Sequence, residues 1–258
     1  MRRAAHAVAD AARGAILPHF RSAGLLTDNK MSDGSFDPVT QADRTAELAM
    51  GSVIRDLRPE DAILGEEYGA QSGSSGLTWV LDPIDGTRAF LSGAPTWGVL
   101  IAVSDATGPI YGIIDQPYIG ERFEGGFGRA ALCGPYGTLP LRVRGDRPLA
   151  DAILFTTFPE VGTPAEGAAF AEVANRVRLT RYGLDCYAYS MLALGQIDLV
   201  IEAGLHAYDV GAPIAVIEAA GGIVTDWQGR PAHEGGRVVA AAGRQQHAAA
   251  LEILSRVP

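Results

Sequence analysis

The chain has 258 residues, 47% of them hydrophobic and 20% charged, with a mean hydropathy of +0.10, a composition that supports a folded domain with ample core. The net charge of −9 and pI of about 5.0 argue against a nucleic-acid backbone or an anionic membrane as the main partner. Two cysteines, Cys133 and Cys186, are too few for a disulfide framework and form no zinc-type CxxC spacing, so reduced, partly buried thiols are expected. No apolar run reaches the roughly 18 residues of a membrane span. Asp10 and Arg13 interrupt the stretch a signal peptide would need, and a cytoplasmic protein is expected.

In chain order, Val8, Ala12, Ala15, Ile16 and Phe20 recur at helical spacing and predict an amphipathic helix over 4–20. A polar loop is expected from Lys30 to Asp37. A second helix runs from Thr40 to Leu57, with Ala42, Ala46, Ala49, Val53 and Leu57 facing inward. Ala62-Ile63-Leu64 reads as a short strand that delivers Gly65-Glu66-Glu67, and 70–76 as a flexible surface loop. Strands follow at 78–82, 97–103 and 109–115. The Gly-rich stretch 124–128 opens no helix and reads as a hairpin turn rather than a phosphate cradle. Beyond residue 143 strands alternate with helices: strands 152–156, 177–181, 197–202, 222–227 and 237–241, with helices 164–175, 185–195, 210–220 and 244–256. The pattern divides the chain into a strand-rich, hairpin-like half (1–143) and a half with a helix-covered mixed sheet (144–258), packed as one compact unit.

The most informative stretch is Trp79-Val80-Leu81-Asp82-Pro83-Ile84-Asp85-Gly86-Thr87, an apolar strand that runs into two acids. At a separation of ~4 Å and an effective dielectric of ~20, two like charges repel by about 4 kcal/mol, so a cation between them is expected. Oxygen-only ligands suit Mg²⁺, Mn²⁺ or Ca²⁺. Asp-Pro and Asp-Gly are also ordinary turn dipeptides, so the pair alone leaves a plain acidic turn open. Three further acids lie at element ends. Glu66 follows a strand. Asp209 precedes a helix whose Pro213 is expected in its first turn, which places Asp209 near the N-cap. Asp43 lies in the first turn of the second helix, where helix-start charge alone would account for it.

Gly65-Glu66-Glu67, Trp79 to Thr87, Tyr208-Asp209-Val210-Gly211 through Gly222, and Asp37-Pro38-Val39-Thr40-Gln41-Ala42-Asp43 together resemble the inositol monophosphatase family, in the right order and across nearly the whole chain. The resemblance implies a layered α/β/α/β/α fold of the α+β class and a Mg²⁺-dependent, lithium-sensitive phosphomonoesterase, often dimeric. It implies that Glu66, Asp82, the Ile84 carbonyl, Asp85 and Asp209 hold two or three Mg²⁺ ions, with Mn²⁺ a possible substitute. It further implies that Asp43 and Thr87 polarise the attacking water, with Glu66 and Asp82 also counted catalytic, and that Gly86 and Thr87 offer backbone N–H groups to the phosphate. Charge counting agrees. Four carboxylates are cancelled by two divalent ions, and a third leaves the site positive for a small phosphorylated metabolite. The five histidines show no ligand spacing to one another, and His206 reads as a surface-loop residue.

Three places resemble the histidinol-phosphatase branch: Asn29-Lys30 with Asp33-Gly34-Ser35-Phe36-Asp37, the basic Arg88 followed by Ser92-Gly93, and Asp185-Cys186-Tyr187-Ala188-Tyr189. An acid at 185 suits a substrate that carries an amine and an imidazole. Asp185 and Arg88 are therefore expected substrate contacts, and the resemblance adds Glu202, which lines up with the family position that contacts the non-phosphate end of the substrate; helix capping is the alternative role for Asp185. Leu184 and His206-Ala207 depart from that branch, the latter toward the inositol phosphatases. An inositol-1-phosphate or broad polyol phosphatase is thus the alternative substrate reading. A catalytically idle relative that binds phosphorylated ligands is disfavoured, because every acid and Thr87 are in place.

Overall fold

The computed structural model describes residues 1–22, 27–29 and 38–257. The loop expected at Lys30 to Asp37, and with it the Asp33-Gly34-Ser35 part of the branch resemblance, lies outside these.

Helix α1 (Arg2–Ile16) buries the stripe Ala5, Val8, Ala9, Ala12 and Ile16. It ends four residues earlier than its apolar spacing suggested, because Pro18 has no N–H with which to continue the ladder. A short antiparallel pair, β1 (Thr27–Asn29) with β2 (Pro38–Thr40), leads into α2 (Gln41–Leu57). The first large sheet takes β3 (Ala62–Gly65), β4 (Gly69–Gln71), β5 (Thr78–Asp85), β6 (Gly98–Asp105), β7 (Gly108–Gln116), β8 (Glu121–Gly126), β9 (Arg129–Gly134) and β10 (Gly137–Pro140). The spatial order is β10-β9-β8-β7-β6-β5-β3-β4. The sheet is not wholly antiparallel as expected, since β3 runs parallel to β5. That parallel pairing sets Gly65 opposite Leu81, and so brings Glu66 beside Asp82. The stretch read as a flexible loop is partly β4, and the amides of Ser74 and Ser75 both bond the Glu60 carbonyl. The Gly-rich stretch is indeed the β8–β9 hairpin. Helix α3 (Thr87–Ser92) follows β5 directly.

The second sheet takes β11 (Ile153–Thr156), β12 (Leu179–Tyr182), β13 (Leu199–His206), β14 (Ile223–Thr225) and β15 (Gly235–Ala241), in the order β12-β11-β13-β15-β14. Its β11 neighbours are parallel and its β15 neighbours antiparallel, the mixed sheet expected. Helices α4 (Pro164–Ala174), α5 (Cys186–Ala193), α6 (Ala207–Ala219) and α7 (Arg244–Leu254) complete the chain.

Strand periodicity sorts the core into layers. Trp79, Leu81, Val99, Ile101 and Val103 pack with α1 and α2. Val80, Leu100 and Ala102 face the opposite way, onto α5 and α6. On the far side of those helices lies the second sheet, whose outer face packs Leu154, Leu199, Ile201 and Val239 against α4 and α7. The result is the layered α/β/α/β/α arrangement. Helix α6 is central and apolar all round, with Val210 to Ile217 buried without interruption. Both cysteines are free, and no helix among the described residues is long and apolar enough to cross a membrane.

Candidate metal and substrate site

The site forms where strand and helix regularity breaks. Opposite β6, Asp82 pairs with Leu100 and Asp85 with Gly98. Three steps on β5 thus answer two on β6, which is a one-residue bulge. In a regular strand residues three apart face opposite sides. The bulge at Pro83-Ile84 turns both acids to one side, and the Ile84 amide bonds Asp82 Oδ1 at 2.9 Å. A second bulge falls on β13 between Glu202 and Leu205. Both bulges line one cavity of about 280 Å³, together with Glu66, Thr87, Arg88, Thr157, Phe158, Asp185, Tyr189 and Asp209.

Asp82, Asp85 and Asp209 each bring a carboxylate oxygen within 4.8 Å of the others. Burial, then the charges of Glu66, Asp85 and Asp209, push the Asp82 carboxyl well above the usual range. Asp85 is raised in the same way by burial and by the charges of Asp185 and Asp209. Carboxylates this close resist ionising together. A hard divalent cation relieves that repulsion, and the all-oxygen donor set fits Mg²⁺-type chemistry. As expected, Asp209 falls near the N-cap of α6: it is the third residue of the helix and bonds the amide of the N-cap residue His206 at 2.6 Å. His206 therefore begins the helix, stacked on Tyr208, and is not a loop residue. Pro213 sits in the interior of α6, not in its first turn, and cannot donate to the Asp209 carbonyl four residues earlier.

Glu66 is set by a residue the sequence did not single out. The Glu47 carboxylate on α2 accepts from the amides of Glu67 and Tyr68 at 2.8 and 2.9 Å, which fixes the turn after β3. Gly65 is required there, since any Cβ would fall inside that carboxylate. Asp43 lies close enough for the charges of Glu66 and Glu67 to act on it, and burial raises its carboxyl to about 6. Its bonds, however, are a capping box: it accepts from the amide and hydroxyl of Thr40. The Thr87 hydroxyl donates to the Ile84 carbonyl at 3.1 Å. Each of the two residues expected to work as a pair is thus bonded elsewhere.

Gly86 adopts φ of +81°, and a Cβ on it would meet the Asp185 side chain at 2.8 Å. Asp185 occupies the N-cap position of α5 but makes no capping bond, which removes the alternative role. Its backbone is itself in the left-handed region, at φ 49° and ψ −141°, a conformation of order 1–3 kcal/mol for a residue with a side chain. The cap is supplied from across the cavity: the Cys186 amide donates to Asp85 Oδ2 at 2.6 Å. Asp185 instead accepts from the Thr96 hydroxyl at 3.3 Å. Burial raises its carboxyl to about 6, with Thr96 and Arg88 pulling the other way. Arg88 lies 4.9 Å over the Phe158 ring. Glu202 accepts from the amide and hydroxyl of Thr157 at 2.8 and 2.9 Å, and burial raises it to about 7. Thr96, Thr157, Phe158 and Glu47 are residues of the site that sequence reasoning missed and that only the apposition of distant segments reveals; Tyr189 stood in the quoted stretch but without a role.

The inositol monophosphatase family model matches residues 1–258. A chloroplastic bifunctional phosphatase, IMPL2, from Arabidopsis thaliana is 42% identical over 87% of this chain, which spans 64% of that relative's length. A histidinol-phosphatase from Streptomyces coelicolor is 32% identical over 94% of the chain and 92% of its own length. Among solved structures, an inositol monophosphatase from Zymomonas mobilis superimposes with a TM-score of 0.86 at 39% identity, covering 98% of this chain and 96% of that one.

Proposed function

This chain belongs to the inositol monophosphatase family of phosphatases, and we propose that within it the protein is a Mg²⁺-dependent phosphomonoesterase that prefers L-histidinol phosphate. On this reading residues 1–143 contribute Glu66, Asp82, the Ile84 carbonyl and Asp85, and residues 144–258 contribute Asp209, to hold two or three ions. When bound, the ions supply Lewis-acid stabilisation of the phosphoryl oxygens and an acidified water. Thr87, whose hydroxyl donates to the Ile84 carbonyl and keeps its lone pairs to accept from that water, orients it for in-line attack, while Asp43, held by Thr40, bears on the site through its charge interaction with Glu66. The amides of Gly86 and Thr87 take a phosphate oxygen. As the new P–O bond forms, the bond to the alcohol oxygen breaks on the side of Asp185 and Glu202.

The observation that carries the substrate preference is Asp185. A carboxylate held in a costly backbone conformation, without capping, and turned toward Thr96 and Arg88 is spending stability on its position. Asp185 and Glu202 are buried near enough for the charge of one to raise the other. A ligand that brings positive charge or N–H donors between them restores their ionisation. An amino alcohol with an azole ring does so; a neutral polyol does so less.

The test is kcat/KM for L-histidinol phosphate and myo-inositol 1-phosphate on one Mg²⁺-loaded preparation. The histidinol ester is expected to be preferred at least ten-fold. Equal or faster turnover of the inositol ester overturns the preference, and turnover that persists in EDTA overturns the metal mechanism.

A further inference from the structure

Tyr189 lies four residues beyond Asp185 on α5, is 4% exposed, and lines the same cavity. Its hydroxyl has no hydrogen-bond partner among the described residues. Buried hydroxyls are nearly always paired, because one left unpaired costs about 1–3 kcal/mol. Two other tyrosines of this protein follow that rule: Tyr111 donates to Glu124 and Tyr187 to Glu121. Tyr189 is surrounded by acceptors yet is bonded to none of them. A phenol is protonated at neutral pH, so this hydroxyl, shielded from bulk solvent at the cavity wall, is a donor without an acceptor. The Thr157 amide and hydroxyl both donate to Glu202 Oε1.

We propose that Tyr189 is a specificity-determining residue whose hydroxyl donates to the alcohol portion of the substrate where that portion reaches Glu202. The carboxylate requires a donor and the phenol an acceptor, so the matching group presents both side by side. An unprotonated azole ring, with one N–H and one lone-pair nitrogen, does this; so does a single hydroxyl. An alkyl or plain aryl group does neither. The inference rests on the reading of this cavity as the leaving-group side of a phosphatase, and it holds for either an azole or a polyol ester.

The experiment is Tyr189→Phe in the Mg²⁺-loaded enzyme, assayed on L-histidinol phosphate, myo-inositol 1-phosphate and p-nitrophenyl phosphate, with Tm measured alongside. Loss of one neutral hydrogen bond predicts about a ten-fold fall in kcat/KM for L-histidinol phosphate, mostly in KM. Turnover of p-nitrophenyl phosphate should stay within about two-fold, and Tm should not fall, because no bond within the protein is removed. A ten-fold loss confined to myo-inositol 1-phosphate supports the Tyr189 contact while overturning the histidinol reading. An equal loss on all three esters, no loss on any, or a Tm lowered by several degrees overturns the proposal.

Discussion

Replacing Asp185 by glycine is expected to make the protein more stable and less selective. The native backbone at this position has φ 49° and ψ −141°, which a side-chain-bearing residue adopts at a cost of about 1–3 kcal/mol. Glycine removes that cost but gives back about 0.5–1 kcal/mol through its freer unfolded chain. The side chain's one hydrogen bond, 3.3 Å from the Thr96 hydroxyl, is long and contributes little. The balance favours the variant by about 1 kcal/mol, or a rise of about 2–4 °C in Tm for a chain of this size. Activity should move the other way. A buried carboxylate that meets a substrate cation contributes about 1.5–3 kcal/mol, so kcat/KM for L-histidinol phosphate should fall between about ten-fold and about a hundred-fold. Asp185→Asn keeps the strained backbone and should show the same kinetic loss; at neutral pH it escapes only the cost of ionising a carboxyl that burial raises to about 6, so the further rise in Tm from the asparagine to the glycine variant reports the backbone strain. Scanning calorimetry of the two variants, with kcat/KM on L-histidinol phosphate and p-nitrophenyl phosphate, separates the effects. A glycine variant less stable than the parent would refute the strain argument. Equal loss on both esters would show that Asp185 acts through Gly86 on the phosphate rather than on the alcohol.

Asp82→Asn should raise the Tm of the metal-free protein at neutral pH and abolish both Mg²⁺-dependent turnover and the rise in Tm that Mg²⁺ produces. The Asp82 carboxyl is raised in the folded state, so ionising it costs folding free energy at pH values above the unfolded carboxylate range, and the amide escapes that cost; calorimetry with and without Mg²⁺ checks it, and an unchanged metal response would exclude Asp82 as a ligand. Glu124 has the opposite sign. Burial alone would raise it, but bonds from Arg2, Tyr111 and His6 hold it at about 2 against an ordinary 4.5. The stability it contributes is complete above about pH 4.5 and is lost as pH falls toward 2, at most about 3 kcal/mol. Urea unfolding of Glu124→Gln between pH 5 and 2.5 should therefore show a flatter acid limb, and parallel limbs would refute the assignment.

The layers were legible because burial imposes them. Alternation along β5 and β6 and the stripe of α1 follow directly from which side of each element meets the core. The cluster of Asp82, Asp85 and Asp209 was legible for another reason, since its acids fall at the ends of elements, where burial alone does not call for them. What stayed hidden depends on backbone geometry that no periodic pattern encodes. Asp82 and Asp85 share a side only because a bulge at Pro83-Ile84 shifts the register against β6. Glu47 was invisible because its partners are backbone amides twenty residues away. Asp185 sits at a capping position in sequence, yet its φ and ψ turn it from that duty and leave Asp85 to cap α5 instead. The two bulges, the strained Asp185, the left-handed Gly86 and the unpaired Tyr189 hydroxyl all line a single cavity. A fold stabilised by regular burial gains nothing from any of these departures. Other departures, such as the bulge at Val103–Ser104 and the positive φ of Arg21 and Phe127, lie outside the cavity; those within it are set apart because they fall beside buried carboxylates, as a site that trades stability for the placement of charge requires.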